Sequence, residues 1–115
     1  MVRKGTQGMR LGFVSLLMAI ALLCRPFAAQ ANPEGGVVAA GQASIATAAT
    51  TVDIHQQSNK AVIDWRGFDI APRETTEFHQ PSASAIALNR VNSPNASAIN
   101  GTLKANGNII IVNQN

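Results

Sequence analysis

Tyrosine is absent from this 115-residue chain, tryptophan occurs once, and aromatic residues together make up 4% of it. The single cysteine, Cys24, leaves no partner for an intramolecular disulfide. That excludes the disulfide-stapled scaffolds common among small exported domains. Charged residues are sparse at 13%, and the chain carries no phosphate-binding loop, dinucleotide-binding glycine motif or GxSxG nucleophile turn. Sustained apolar spacing of three and four with caps is missing too, which argues against amphipathic helices.

Acidic residues are missing from the first 31 positions. Met1–Arg10 carries Arg3, Lys4 and Arg10, and Leu11–Leu23 (LGFVSLLMAIALL) is an uncharged, mostly apolar run. Small residues follow at Ala29-Gln30-Ala31. This three-part layout predicts a secretory signal peptide over 1–31, cleaved after Ala31, with Ala29, Ala31 and Asn32 marking the site. The apolar run is too short to span a bilayer as a stable helix, which counts against an uncleaved anchor. Bulky Leu23 before Cys24 counts against a lipid-anchored N-terminus.

Removing the leader changes the electrostatics. Arg3, Lys4, Arg10 and Arg25 leave with it, so the formal +3 becomes five bases (9 − 4) against six acids, or −1. Nucleic-acid binding thereby loses its main support. The remaining 84 residues (115 − 31) contain no cysteine and no transmembrane segment. A domain of this size buries only about 60% of its unfolded surface, and the composition favours part of a larger structure.

What is present is a series of short runs rich in Ile, Val, Thr, Ser and Asn. Ala43–Thr47, Thr51–Gln56, Lys60–Trp65, Thr75–Gln80, Ser84–Val91, Ile99–Ala105 and Asn108–Asn113 read as strands. Turn signals separate them at Ser58-Asn59, Gly67, Ala71-Pro72, Gln80-Pro81, Ser93-Pro94-Asn95 and Asn106-Gly107. Val52 and Ile54 face opposite Asp53 and His55, Phe78 opposite Glu77 and His79, and Ile86 and Leu88 share a face. Ala61-Val62-Ile63 and Ile109–Val112 are apolar on both faces, as in strands covered on both sides. Short strands with few aromatics fit a coiled parallel stack better than a sandwich.

Two pairs, Asp53/His55 and Glu77/His79, each set an acid and a histidine on one strand face, a pattern shared by metal ligands, acid–base pairs and ordinary solvated strands. The solvated strand is the simplest account. With two histidines and no cysteine, a closed zinc site needs carboxylates. Ser82 or Ser84 completes a serine–histidine–acid set only on paper. Asn95-Ala96-Ser97 and Asn100-Gly101-Thr102 match the glycosylation pattern, and turn chemistry explains both asparagines.

NPEGGVVAAGQASI (Asn32–Ile45), SNKAVIDWRGFDI (Ser58–Ile70), ETTEFHQPSASAIALNRV (Glu74–Val91) and INGTLKANGNIIIVNQN (Ile99–Asn115) together resemble the haemagglutination activity domain. This is the N-terminal secretion domain of two-partner-secreted bacterial exoproteins such as filamentous haemagglutinin, large adhesins and inhibition toxins. The resemblance implies an all-β fold, the N-terminal part of a right-handed parallel β-helix with a cap and extra-helical strands. It implies a partner, an outer-membrane β-barrel transporter with periplasmic docking domains, and export to the periplasm and then the cell surface or medium. It implies no catalysis and no cofactor. Trp65 and Phe68 would then pack as core beside Gly67, with Phe78.

The family continues past its last apolar strand with NPNGI or a close variant. Here Asn113-Gln114-Asn115 stands in that place, with glutamine at the matching proline, and NPNL is absent. Residues 32–115 therefore read as a partial secretion domain, the role of which is to address an adhesin- or toxin-like exoprotein to its transporter. A gene remnant and a polysaccharide-acting β-helix enzyme are the alternatives. NIIIVN on an open edge predicts an isolated fragment that is unstable or self-associating.

Overall fold

The computed structural model describes residues 31–115, and its regular elements there are all β-strands: β1 (Val37–Ala40), β2 (Ala43–Thr47), β3 (Thr51–Gln56), β4 (Lys60–Trp65), β5 (Thr75–His79), β6 (Ile86–Val91), β7 (Thr102–Ala105) and β8 (Asn108–Asn113). The expected signal peptide, Ala31 apart, lies outside the described residues. Four expected strands coincide with β2, β3, β4 and β8, while β5, β6 and β7 begin or end inside their expected runs. β1 lies outside the expected runs because VVAA, set among glycine and alanine, shows no alternation.

The strands form two four-stranded sheets, ordered β1-β4-β6-β8 and β2-β3-β5-β7. From β3 onward the chain alternates between them, and each new strand lies parallel on the one a turn earlier. Thr51 aligns with Thr75, Lys60 with Ile86, Thr75 with Thr102 and Ile86 with Asn108. These offsets differ from turn to turn, so no strict sequence period exists. Between the sheets a third side forms at Ile70, in a parallel bridge with Ile99. The Ile70 N–H donates to the Ala98 carbonyl at 3.0 Å, and the Asn100 N–H to the Ile70 carbonyl at 2.8 Å.

The first two strands run the other way. β1 pairs antiparallel with β4 and β2 with β3, so they cover the N-terminal edge of both sheets. The turn between them needs Gly41, whose φ of +78° is one that side chains rarely adopt and whose Cβ would strike the Lys60 carbonyl. Gly67, by contrast, has room for a methyl group and faces Glu34 in an antiparallel bridge.

The core lies between the sheets. Alternation in β3 buries Val52, Ile54 and Gln56, and in β4 Ala61, Ile63 and Trp65. Phe68, Ile70 and Phe78 complete the cluster, with Trp65 edge-on to Phe68 at a centroid separation of 5.4 Å. Each such side chain contributes about 1.5–3 kcal/mol on burial. Parity in β4 then fixes β6. Because Ile63 aligns with Asn89 and Trp65 with Val91, the buried face of β6 is Ala87, Asn89 and Val91, and Ile86 and Leu88 point outward.

Buried polar side chains close the corners. Asn89, fully buried, accepts from Trp65 Nε1 at 2.9 Å and donates to the Ala87 and Ile110 carbonyls. Gln80 Nε2 donates to Gln56 Oε1 and to the Asn108 carbonyl, while Gln56 Nε2 donates to the Ser58 and Ile86 carbonyls. These bonds tie successive turns together where a strand ends and backbone groups would otherwise stay unpaired.

One expectation fails. The runs apolar on both faces are not covered on both faces among the described residues: Val62 is half-buried, and Ile110 and Val112 are 49% and 44% exposed. Their inward neighbours Ile109 and Ile111 pack against the core, and the outward ones face solvent.

Candidate functional site

β8 and β7 are the last strands of their sheets, and among the described residues nothing pairs with their outer edges. Edge N–H and C=O groups of this kind are a ready template for one more strand. In β8 the template runs through NIIIVN, with Ile109 and Ile111 directed to the interior and Ile110 and Val112 outward. Asn113 pins the end of β8, its Nδ2 donating to the Asn95 carbonyl at 3.1 Å and to Ser97 Oγ at 2.9 Å. The Asn115 N–H donates back to Asn113 Oδ1 at 3.0 Å.

Beside this edge lies an apolar outer face. Register places Val62, Leu88 and Ile110 in one row across β4, β6 and β8, and Asp64, Arg90 and Val112 in the next. Arg90 holds Asp64 through two bonds, Nε to Oδ1 at 2.6 Å and Nη2 to Oδ2 at 2.9 Å. Hydrogen bonding to Asp64, and then its charge, raise the guanidinium pKa above its ordinary value. A shallow cleft of about 380 Å³ opens between Arg90, Asp64, Val112 and Gln114. Its lining sets the Asp64–Arg90 ion pair beside Val91, Asn92, Val112 and Gln114.

The other sheet has a polar outer face. Here β3 and β5 lie in register, so Asp53 sits beside Glu77 and His55 beside His79. The two acid–histidine pairs legible in the sequence therefore meet. His79 Nε2 lies 2.9 Å from Asp53 Oδ1, and the His79 and His55 rings stack at 4.6 Å, 9° from parallel. Glu77 Oε2 is 4.0 Å from His79 Nδ1. The Ser82 and Ser84 hydroxyls bond to each other at 3.0 Å, and among the described residues neither bonds to a histidine. The serine–histidine–acid set is not assembled.

Trp65, Phe68 and Phe78 lie in the core, each 2% exposed or less. Ala29 is outside the described residues. The Ala31 N–H donates to Glu74 Oε2 at 3.1 Å, and Asn32 Nδ2 reaches the Ala48 and Ala49 carbonyls, each at 3.1 Å. Sequence reasoning passed over Glu74, Gln56, Gln80 and Asn89, the buried polar groups that lock the turns. Only the glutamines left a signal, since each ends a strand of alternating pattern.

This arrangement of capped parallel turns can be compared with known proteins. Residues 29–115 match the TPS secretion domain family. The chain belongs to that family. It is 36% identical over 107 residues to a heme/hemopexin-binding protein of Haemophilus influenzae, covering 92% of this chain and 12% of that protein. A second heme/hemopexin-binding protein of Haemophilus influenzae is 46% identical over 69 residues, 60% of this chain and 7% of the relative. Among solved structures, the secretion domain of HMW1 from Haemophilus influenzae superposes with a TM-score of 0.64 at 28% identity, covering 70% of this chain and 21% of that one. The chain thus spans about an eighth or less of the curated relatives it matches. The TPS domain has the all-β architecture expected from the sequence.

Proposed function

We propose that this TPS domain is the secretion address of a longer exported protein, read by an outer-membrane transporter of the two-partner pathway. The family match over residues 29–115 carries the reading. Residues 1–31 act as the signal peptide that brings the chain to the periplasm. There the transporter's periplasmic docking domains engage an extended or partly folded segment by strand addition. The segment of β7 and β8, whose outer edges have no partner among the described residues, is the candidate for that engagement. Outside the cell the parallel turns wind into a right-handed β-helix, and that folding helps make export one-way. The same edge is where isolated copies of the chain pair with one another. Adhesin- and toxin-like passengers fit this role. Binding of heme or hemopexin belongs to the relatives so named, of which this chain matches only a small part.

The test is export of a reporter fused after Asn115, in a host with and without an outer-membrane transporter of the two-partner pathway. Reporter in the medium only when the transporter is present is the expected result, and deletion of residues 2–31 abolishes it. Equal release with and without the transporter overturns the proposal.

A further inference from the structure

We propose that Asp53, Glu77 and His79 form a binding site for a divalent ion of the zinc type on the outer face of the β2-β3-β5-β7 sheet. One donor atom from each lies within 4.8 Å of the others. The backbone does the assembling. Parallel register brings Asp53 of β3 level with Glu77 of β5, and period-two alternation sends Glu77 and His79 to the same face.

Zinc holds nitrogen and oxygen donors at about 2.0–2.2 Å, which sets neighbouring donors about 3.3 Å apart. The three side chains are each about two-fifths exposed, so rotamer changes bring the donors in without moving the strands. Asp53 and His79 are already at hydrogen-bonding distance. On binding, the ion takes the place of the contact between His79 Nε2 and Asp53 Oδ1, and the neutral imidazole carries its single N–H on Nδ1. One imidazole with two carboxylates is a donor set for zinc, copper or nickel rather than for calcium, which takes six to eight oxygens. Three protein ligands leave a position for water.

Two neighbours shape the site. The His55 ring, stacked on His79, holds its plane and acts as a positioning residue. Lys104 on β7 lies in register with Glu77 and places a cation beside the site, opposing the ion. The physical effect is a clip between successive turns. Its donors come from two strands that meet only in the folded chain, so the ion binds the folded form selectively and stabilises it.

The experiment is titration of the full chain with zinc chloride alone, followed by calorimetry and by thermal unfolding. The proposal predicts saturable uptake of one ion per chain, a rise in Tm reversed by chelator, and affinity weakened by about tenfold or more in His79→Gln and Glu77→Gln. Two ligand variants guard against one failing to fold, and circular dichroism of each without metal reports that. His55→Phe keeps a stacking ring and retains uptake, whereas His55→Ala weakens it less than the ligand variants do. Lys104→Gln tightens it. No saturable uptake, or equal affinity in the parent chain and in both ligand variants, overturns the proposal.

Discussion

At its N-terminal end the stack is closed by β1 and β2, which run antiparallel over the edges of β4 and β3. At its C-terminal end β7 and β8 continue the parallel ladder and have no such cover among the described residues. The interior registers the difference. Val52, Ile54 and Ile63 near the capped end are fully buried, while Leu103, Ile109 and Ile111, on the same inward side of later turns, are only half-buried. Identical residue types thus do different work at the two ends. A parallel turn completes its core only when another layer covers it, as in repeat architectures generally. Reversing two short strands is enough to cap one end.

Truncating equivalent isoleucines sharpens that contrast most. Ile54→Ala should lower unfolding free energy by about 2–5 kcal/mol, the range for a fully buried aliphatic side chain. Ile111→Ala should lower it by less, about 1–2 kcal/mol, because Ile111 is only partly buried at the open end. Denaturant titration of both variants measures this, and equal losses would show the open end to be as well packed as the capped one.

The next effect lies at the junction between the ends. Asn89 receives the Trp65 indole N–H and donates to the carbonyl of Ile110, so it links the well-packed turn to the open one. Asn89→Ala leaves the indole N–H without its acceptor, at a loss of about 1–3 kcal/mol. Denaturant titration should show that loss, and near-ultraviolet circular dichroism should report the changed tryptophan environment. An unchanged midpoint would remove Asn89 as the coupling residue.

The smallest effect belongs to the outer face. Asp64→Asn breaks the pair with Arg90, both side chains being about half exposed. It should lower stability only slightly, with a difference that fades as salt is raised. A larger loss would mean that the outer row braces the fold rather than lining a contact surface.

Much of this contrast was legible in the sequence. The alternation TVDIHQ and the run KAVIDW set β3 and β4 and their inward sides, because a period of two leaves few choices once one face is apolar. NIIIVN gave β8 its span. β1 was not legible, since small residues carry no facial contrast. Nor was the burial of Asn89, which follows from the Trp65–Val91 register rather than from any preference of asparagine. The outward exposure of Ile110 and Val112 was hidden for a related reason. An apolar run on both faces announces a strand that can be covered twice, and what covers it is a tertiary fact. The meeting of Asp53 with His79 likewise depends on an offset between turns that differs from one turn to the next.

Hydrogen–deuterium exchange of the full chain, alone and with the periplasmic docking domains of its transporter, tests the account most directly. Alone, amides of β3 and β4 should exchange slowly and those of β7 and β8 fast. With the docking domains, protection should appear in residues 102–113, as expected if the open edge receives a strand. Protection confined to β1 and β2, or none at all, would contradict it.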